Sequence, residues 1–176
     1  FLDAAFVSHA YEDKAFRIGA GQTISAPSTV ANQSQLLEFK KGDKVLEIGT
    51  GSAYQTSVLC EMGAKVFSIE RQKELFDKAK FMVNKLGYSP KLFYGDGYKG
   101  QPAFGPFNKI IVTCGAPELP IQLVDQLIVG GKIVIPIGED AQIMTVITKI
   151  DDQSLVKEEF GLYKFVPMLT NKAWKP

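Results

Sequence analysis

One stretch of ten residues, 45–54, constrains the fold of this chain more than any other. Its apolar first part, 45–48, gives way to small residues at positions 49, 51 and 53 and then to a helical pattern. This order predicts a buried strand, a tight turn at which the backbone approaches a ligand, and a helix whose N-terminus faces the same place. The stretch therefore predicts a small-molecule site at the end of a strand.

Strand-like and helix-like segments alternate through the middle of the chain. Short runs rich in β-branched and aromatic residues are separated mostly by segments with helical periodicity, such as 72–86 and 119–127. The predicted strands are 45–48, 65–69, 91–94, 107–112 and 132–137. This alternation predicts an α/β fold with a doubly wound, mostly parallel, Rossmann-like sheet that helices cover on both faces.

Both ends of the chain depart from this alternation. Residues 142–150 and 154–163 read as two strands with no room for a helix between them, so we predict an antiparallel C-terminal strand pair at one end of the sheet. The first 16 residues carry a short helical pattern, which predicts an N-terminal helical flank. Gly130 and Gly131 are predicted to end the helix that precedes the strand at 132–137.

Composition limits the partners and the setting. The chain has 176 residues, of which 45% are hydrophobic, and its 20 basic and 19 acidic side chains nearly cancel, which argues against nucleic acid as a partner. No apolar run approaches the roughly 20 residues of a membrane helix, so we expect no membrane partner and a cytoplasmic location. Without a long exposed apolar stripe, a monomer is expected.

The sequence offers no pattern of metal ligands. His9 is the only histidine, and Cys60 and Cys114 are far apart without metal-ligand spacing. We therefore expect no metal site and two reduced cysteines.

The spacing of the small residues after the first predicted strand distinguishes two classes of cofactor site. A nicotinamide dinucleotide fingerprint has Gly or Ala at the sixth position of G-x-G-x-x-G, where this chain has Tyr54. Small residues stand instead at Gly49, Gly51 and Ala53, with Glu47 two positions earlier. This spacing resembles motif I of S-adenosylmethionine-dependent methyltransferases, although any strand-turn-helix of an α/β protein can carry glycines.

Two further acidic residues are predicted at the same edge of the sheet. Glu70 ends the second strand, about twenty residues beyond the glycine turn, where a carboxylate can accept hydrogen bonds from both ribose hydroxyls. Asp96 and Gly97 follow the third strand, where the carboxylate can accept from an exocyclic amine. Because the carboxyl ends of parallel strands form one edge, we expect these residues to lie near the glycine turn.

A second polar segment precedes the first strand. Pro27 suits the first turn of a helix predicted over 28–39, and Ser25 stands where an N-cap residue belongs. The Ser25 hydroxyl can therefore cap the helix or orient an anionic ligand near its N-terminus.

These motifs together resemble the protein-L-isoaspartate O-methyltransferase family over essentially the whole chain. The resemblance rests on residues 21–27, 45–55, 94–97, 108–117 and 130–138. It implies methyl transfer from S-adenosyl-L-methionine, with S-adenosyl-L-homocysteine as product, to the free carboxylate of L-isoaspartyl residues in damaged proteins and peptides. It also implies one methyltransferase domain over 1–176, with a substrate-side flank at 1–40, a cofactor-binding core at 41–150 and a C-terminal strand and substrate-groove segment at 151–176.

The resemblance implies roles for particular residues. Ser25 is expected to be the active-site residue. The expected cofactor-binding residues are Glu47, Gly49, Thr50, Gly51, Ser52, Glu70, Arg71, Asp96, Gly97 and Thr113. The expected substrate-binding residues are Thr23, Ile24, Ser25, Ala26, Pro27, Val166 and Pro167. A carboxylate is ionised at neutral pH, so this reaction needs positioning more than a general base.

Ala53 departs from the family, which usually has glycine at this position. A methyl group crowds the cofactor if the position requires a positive φ and does nothing if Ala53 is the first residue of the helix, which we favour. Two alternative functions follow: a cofactor-binding homologue with weakened or lost catalysis, and a methyltransferase for another carboxylate substrate. A dinucleotide oxidoreductase is disfavoured by Tyr54.

Overall fold

A computed structural model describes residues 1, 2 and 4–173 of the chain. Residue 3 of the predicted flank and the last three residues of the predicted segment 151–176 lie outside this description. The strands are β1 (Phe16–Gly19), β2 (Gln22–Ile24), β3 (Lys44–Ile48), β4 (Lys65–Glu70), β5 (Lys91–Tyr94), β6 (Phe107–Val112), β7 (Leu127–Ile137), β8 (Gln142–Lys149) and β9 (Leu155–Tyr163). The α-helices are α1 (Pro27–Leu37), α2 (Tyr54–Glu61), α3 (Lys73–Lys85) and α4 (Ile121–Val124), and 3-10 helices cover Ala4–His9, Gly97–Lys99 and Pro102–Phe104.

The centre of the fold is a seven-stranded sheet in the order β5-β4-β3-β6-β7-β8-β9. The strands from β5 to β7 run parallel, whereas β8 and β9 are antiparallel to their neighbours. This architecture confirms the predicted mostly parallel α/β sheet with an antiparallel C-terminal pair. In β3, Ile48 stands opposite Ile69 of β4 and Val112 of β6, so the carboxyl ends of these three strands meet at one edge.

Alternating apolar residues explain the two faces of the central strand β3. Leu46 and Ile48 pack in one buried cluster and Val45 packs in another, on the opposite side of the sheet. Helix α3 presents one apolar stripe to the sheet, because its buried residues Leu75, Ala79 and Val83 recur every four positions. The sheet edge near Ile48 is thus held by packing on both sides.

The N-terminal flank contains more than the predicted helix. After the 3-10 helix Ala4–His9, strands β1 and β2 form a small antiparallel hairpin in which Phe16 pairs with Ile24. Ile18 and Ile24 bury their side chains beside Leu75 of α3. The hairpin therefore places the residues that follow β2 next to the central sheet.

The structure shortens the helix predicted at 119–127. Helix α4 ends at Val124, and β7 already begins at Leu127, whose buried side chain belongs to the main core. The prediction that Gly130 and Gly131 end a helix was wrong, since both lie inside β7. A Cβ atom at position 131 would stand 2.6 Å from Leu127 Cγ, so an irregularity in the strand requires glycine there.

The described residues contain neither a membrane-spanning helix nor a cluster of metal ligands. No helix within residues 1–2 and 4–173 combines the length and apolar character needed to cross a membrane. In the same part of the chain, no three His, Cys, Asp or Glu side chains are grouped to hold a metal ion.

Candidate active site

The glycine turn between β3 and α2 is held to both neighbouring strands. Gly49 has a φ of 96° and its N–H donates to the Ile69 carbonyl at 2.9 Å. On the other side, Thr113 Oγ1 lies 3.0 Å from the Ile48 carbonyl and 2.7 Å from the Gly49 carbonyl. A Cβ atom at position 49 would lie 2.6 Å from Thr113 Oγ1, so only glycine fits this approach.

Glu70, at the end of β4, faces the same turn. Its Oε2 accepts from the Gly51 N–H at 2.9 Å, and its Oε1 accepts from the Gln72 N–H at 2.8 Å. Burial raises the pKa of Glu70 above its usual value, while these backbone N–H groups act in the opposite direction. Each oxygen keeps a lone pair for a further donor.

A cavity of about 820 Å³, including the solvent at its mouth, opens above the turn. We call it the turn cavity. Its walls combine apolar side chains, the backbone of the turn and the charged residues Glu70 and Arg71. It is lined by Gln22, Thr23, Ile24, Ser25, Val30, Ile48, Gly49, Gly51, Ser52, Tyr54, Gln55, Ile69, Glu70, Arg71, Gly97, Thr113, Cys114, Val166, Pro167, Met168 and Leu169.

A second cavity, of about 460 Å³ including the solvent at its mouth, lies beside the residues that follow β9, and we call it the β9 cavity. It is lined by Ala15, Thr23, Ser25, Ala26, Thr29, Thr113, Tyr163, Lys164, Phe165 and Val166. Four residues line both cavities and so form a common wall: Thr23, Ser25, Thr113 and Val166. The two cavities are therefore adjacent to one another at this wall.

Ser25 belongs to the common wall, but it does not cap α1. The N-cap residue is Ala26 and the helix begins at Pro27; in its first turn the Ser28 N–H donates to Asp13 Oδ1 at 2.8 Å. The prediction of an N-cap at Ser25 was wrong, because the helix begins one residue later than that role requires. Its hydroxyl is thus not used in a cap of α1.

The comparisons with known proteins identify the family. The model of the protein-L-isoaspartate(D-aspartate) O-methyltransferase family matches residues 1–173. The chain belongs to this family. It is 60% identical over 173 residues to the protein-L-isoaspartate O-methyltransferase of Christiangramia forsetii, an alignment that covers 98% of this chain and 81% of that relative.

Solved structures of protein-L-isoaspartate O-methyltransferases share this fold. One is 31% identical with a TM-score of 0.85, and the alignment covers 93% of this chain and 55% of that chain. Another, from Plasmodium falciparum and in complex with S-adenosyl-L-homocysteine, is 30% identical with a TM-score of 0.77 and coverages of 92% and 82%. The predicted methyltransferase family and fold are therefore confirmed.

Two residues of the family's motif I in this chain lie behind the turn cavity and do not line it. Glu47 is fully buried, and its Oε2 accepts from Thr56 Oγ1 of α2 at 2.5 Å. Burial raises the pKa of Glu47 to about 7, against the lowering effect of the Thr56 hydrogen bond. Thr50 is also buried, with its hydroxyl 2.6 Å from Ser68 Oγ. Both residues support the turn from below.

Asp96 likewise lies outside the lining of the turn cavity. Its Oδ1 accepts from the Tyr98 N–H at 3.0 Å and caps the 3-10 helix Gly97–Lys99, and its Oδ2 accepts from the Asn171 N–H at 2.8 Å. Arg71 Nε donates to the Asn171 carbonyl at 3.0 Å. Asp96 and Arg71 thus hold the C-terminal segment 166–173 across the carboxyl end of the sheet.

Ala53 has a φ of 66°, so our preferred interpretation of this position as the first, helical residue of α2 was wrong. Its side chain is nevertheless fully buried in a small cluster with Ala79 and Val83 of α3. Ala53 does not line the turn cavity. The methyl group therefore packs against a helix and does not crowd the cavity.

The remaining predicted site residues are brought together to different degrees. Ala26 lines the β9 cavity only, and Pro27 lines a third, mostly apolar cavity that shares Ile24, Ser25 and Tyr54 with the turn cavity. The turn cavity contains these other predicted residues: Thr23, Ile24, Ser25, Gly49, Gly51, Ser52, Glu70, Arg71, Gly97, Thr113, Val166 and Pro167.

Sequence reasoning missed several residues that line the turn cavity. Cys114, which directly follows Thr113 at the carboxyl end of β6, is one of them. Met168 and Leu169 also line the cavity and belong to the C-terminal segment that was expected to form the substrate groove, although neither was named as a binding residue. The rule that ligands bind at the carboxyl ends of parallel strands was enough to include Cys114. No sequence signal distinguishes Gln55, whose buried Nε2 donates to Ser34 Oγ at 2.8 Å.

Proposed function

We propose that the chain transfers a methyl group from S-adenosyl-L-methionine to the free carboxylate of L-isoaspartyl residues in proteins and peptides. The observation that carries the proposal is the common wall of Thr23, Ser25, Thr113 and Val166 between two cavities. A methyl donor in the turn cavity and a carboxylate in the β9 cavity meet there.

The residues of the turn cavity fit this cofactor. Ile48 and Ile69 provide apolar walls for a flat base, and Glu70 provides a buried carboxylate with a free lone pair on each oxygen. Ribose hydroxyls are donors that such a carboxylate binds. A Cβ atom at position 97 would lie 2.4 Å from Ile48 Cγ2, so glycine there keeps this wall closely packed.

The glycine turn suits the amino-acid end of the cofactor. Gly51 and Ser52 present backbone at the start of α2, where partial positive charge favours a carboxylate. We assign Glu47 and Thr50 a supporting role under this backbone. Asp96 orders Asn171 and Tyr98, and its remaining lone pairs can accept from the exocyclic amine of adenine.

On the substrate side, we assign Ser25 to orient the isoaspartyl carboxylate. The bound cofactor supplies an electrophilic sulfonium methyl group, and the carboxylate supplies the attacking oxygen. Since a carboxylate has an ordinary pKa near 4, it is already ionised at neutral pH and needs no general base. The task of the protein is alignment of the two groups and exclusion of water, which together can contribute several kcal/mol.

The experiment compares an isoaspartyl peptide with the same peptide carrying a normal aspartyl linkage. With radiolabelled S-adenosylmethionine, we expect methylation of the isoaspartyl peptide and at most background methylation of its twin. Equal labelling of the two peptides would refute the repair activity and favour a different carboxylate substrate.

The alternative of a cofactor-binding homologue without catalysis loses its motivation. It rested on crowding of the cofactor by Ala53, and the Ala53 methyl packs against Ala79 and Val83 instead. The same peptide assay tests it: binding of S-adenosylhomocysteine without labelling of either peptide is the result that this alternative expects.

A further inference from the structure

Lys164 follows β9 directly, lines the β9 cavity and has an exposed side chain. Of the described residues that line this cavity, Lys164 alone is charged; the others are apolar or carry hydroxyl groups. Within residues 1–2 and 4–173, no carboxylate forms an ion pair with Lys164. The lining of the β9 cavity therefore includes one positively charged residue, and no carboxylate among the described residues pairs with it.

The residues on both sides of Lys164 are held by hydrogen bonds to other elements. Tyr163 Oη is 3.1 Å from Asn32 Oδ1 of α1, and the Phe165 N–H donates to Gln142 Oε1 of β8 at 2.8 Å. One residue further on, the Val166 carbonyl accepts from the Gly115 N–H at 2.8 Å. Lys164 thus extends from an anchored main chain beside the common wall.

From this position we infer that Lys164 determines sequence preference: the chain favours isoaspartyl sites that have an acidic side chain close by in the peptide. The inference rests on the proposed function, because it takes the β9 cavity as the site of the isoaspartyl carboxylate. Because the proposed function assigns Ser25 to the methylated carboxylate, Lys164 remains available for a neighbouring Asp or Glu of the same peptide.

The size of the effect follows from the exposure of Lys164. The side chain is exposed, and an exposed ion pair contributes little because water and salt screen it. We expect a peptide with one flanking Asp to have a kcat/KM about threefold higher than the same peptide with Ala at that position. The difference from the same peptide with Lys at that position should be larger. The preference should shrink as NaCl is raised from about 20 mM to about 300 mM.

The test is a ratio of kcat/KM values over a peptide series. Each peptide carries one isoaspartyl residue, and Asp, Ala or Lys is placed at one flanking position at a time. Lys164→Met should reduce the Asp-to-Ala ratio to about one, and Lys164→Glu should invert it. Lys157→Met is the matched control, because Lys157 lies on β9, pairs with Glu159 and lines neither cavity.

Two results would overturn the inference. One is an unaltered Asp-to-Ala ratio in Lys164→Met, and the other is an equal loss of preference in Lys157→Met, which would indicate a long-range effect of net charge. Failure of the proposed function has a different signature, since the unaltered chain would then methylate none of the isoaspartyl peptides or would methylate each no better than its normal aspartyl twin.

Discussion

The two sides of the glycine turn contain carboxylates in contrasting surroundings. On the cavity side, Glu70 accepts one backbone N–H on each oxygen and keeps lone pairs for a ligand. On the core side, Glu47 is fully buried beneath α2 and accepts a hydrogen bond from the Thr56 hydroxyl. Burial raises both pKa values, but several backbone donors favour the ionised form of Glu70. Two acids on neighbouring strands are thus suited to different tasks, ligand binding and support.

The strongest test of this contrast is the pH dependence of stability. The pKa of Glu47 is about 7 in the folded chain and near 4.5 when exposed, so its contribution to stability is complete below about pH 4.5 and is lost as the pH rises through 7. Ionisation of Glu47 should therefore cost up to about 3 kcal/mol between pH 5 and pH 8. Urea unfolding at these pH values measures the loss.

Two substitutions distinguish the contribution of Glu47 to this pH dependence from the contributions of other acidic residues. Glu47→Gln keeps the shape of the side chain and should remove most of the pH dependence, whereas Glu158→Gln, at an exposed position of β9, should leave it unchanged. An unaltered pH dependence in Glu47→Gln would show that Glu47 is ionised throughout and would break the contrast with Glu70.

The next largest effect concerns the cavity side. Glu70→Ala removes the proposed ribose acceptor and the partner of the Gly51 N–H, so we expect affinity for S-adenosylhomocysteine to fall by about 100-fold. Isothermal titration calorimetry gives the affinity. A change smaller than threefold would mean that Glu70 supports the turn in the same way as Glu47 and does not contact the ligand.

Ser25→Ala should affect turnover and spare the cofactor. Loss of one hydrogen bond to a charged carboxylate should lower kcat for an isoaspartyl peptide by about tenfold. Affinity for S-adenosylhomocysteine should stay within about twofold of the unaltered chain. The opposite result, a large loss of affinity with normal turnover at saturation, would place Ser25 on the cofactor side of the common wall.

The smallest effect is expected at Ala53. Glycine at this position relieves a left-handed conformation that costs about 1 kcal/mol, but it removes a buried methyl worth about 0.8 kcal/mol and loosens the unfolded chain. These contributions nearly cancel, so the free energy of unfolding should change by less than about 1 kcal/mol. Affinity for S-adenosylhomocysteine should change by less than twofold. If Ala53→Gly bound this ligand and the unaltered chain did not, the conclusion that the Ala53 methyl group does not crowd the cavity would be wrong.

Regular patterns in the sequence predicted the architecture and the family. The alternation of strand-like and helix-like segments predicted the parallel sheet. The short connection between β8 and β9, with no room for a helix, predicted their antiparallel pairing. The residues around the glycine turn and before α1 identified the family, which the comparisons confirm. These features depend on local periodicity and spacing, which a single sequence contains.

Features that depend on tertiary contacts were not predictable in the same way. Period-two alternation in β3 places Glu47 with Val45, away from the face of Leu46 and Ile48, but only the packing of Thr56 from α2 shows that this face is closed. Ala53 adopts a positive φ because the turn demands it, against the preference of alanine for helices. The roles of individual site residues remain predictions.

The common wall of Thr23, Ser25, Thr113 and Val166 has a thermodynamic consequence. Because each of these residues faces both cavities, a ligand that orders the wall from one side changes the binding free energy on the other. Such linkage is reciprocal: if bound cofactor tightens peptide binding by some factor, bound peptide must tighten cofactor binding by the same factor. A peptide titration in the presence and absence of S-adenosylhomocysteine therefore measures, as one number, how far the two halves of the site act as a unit.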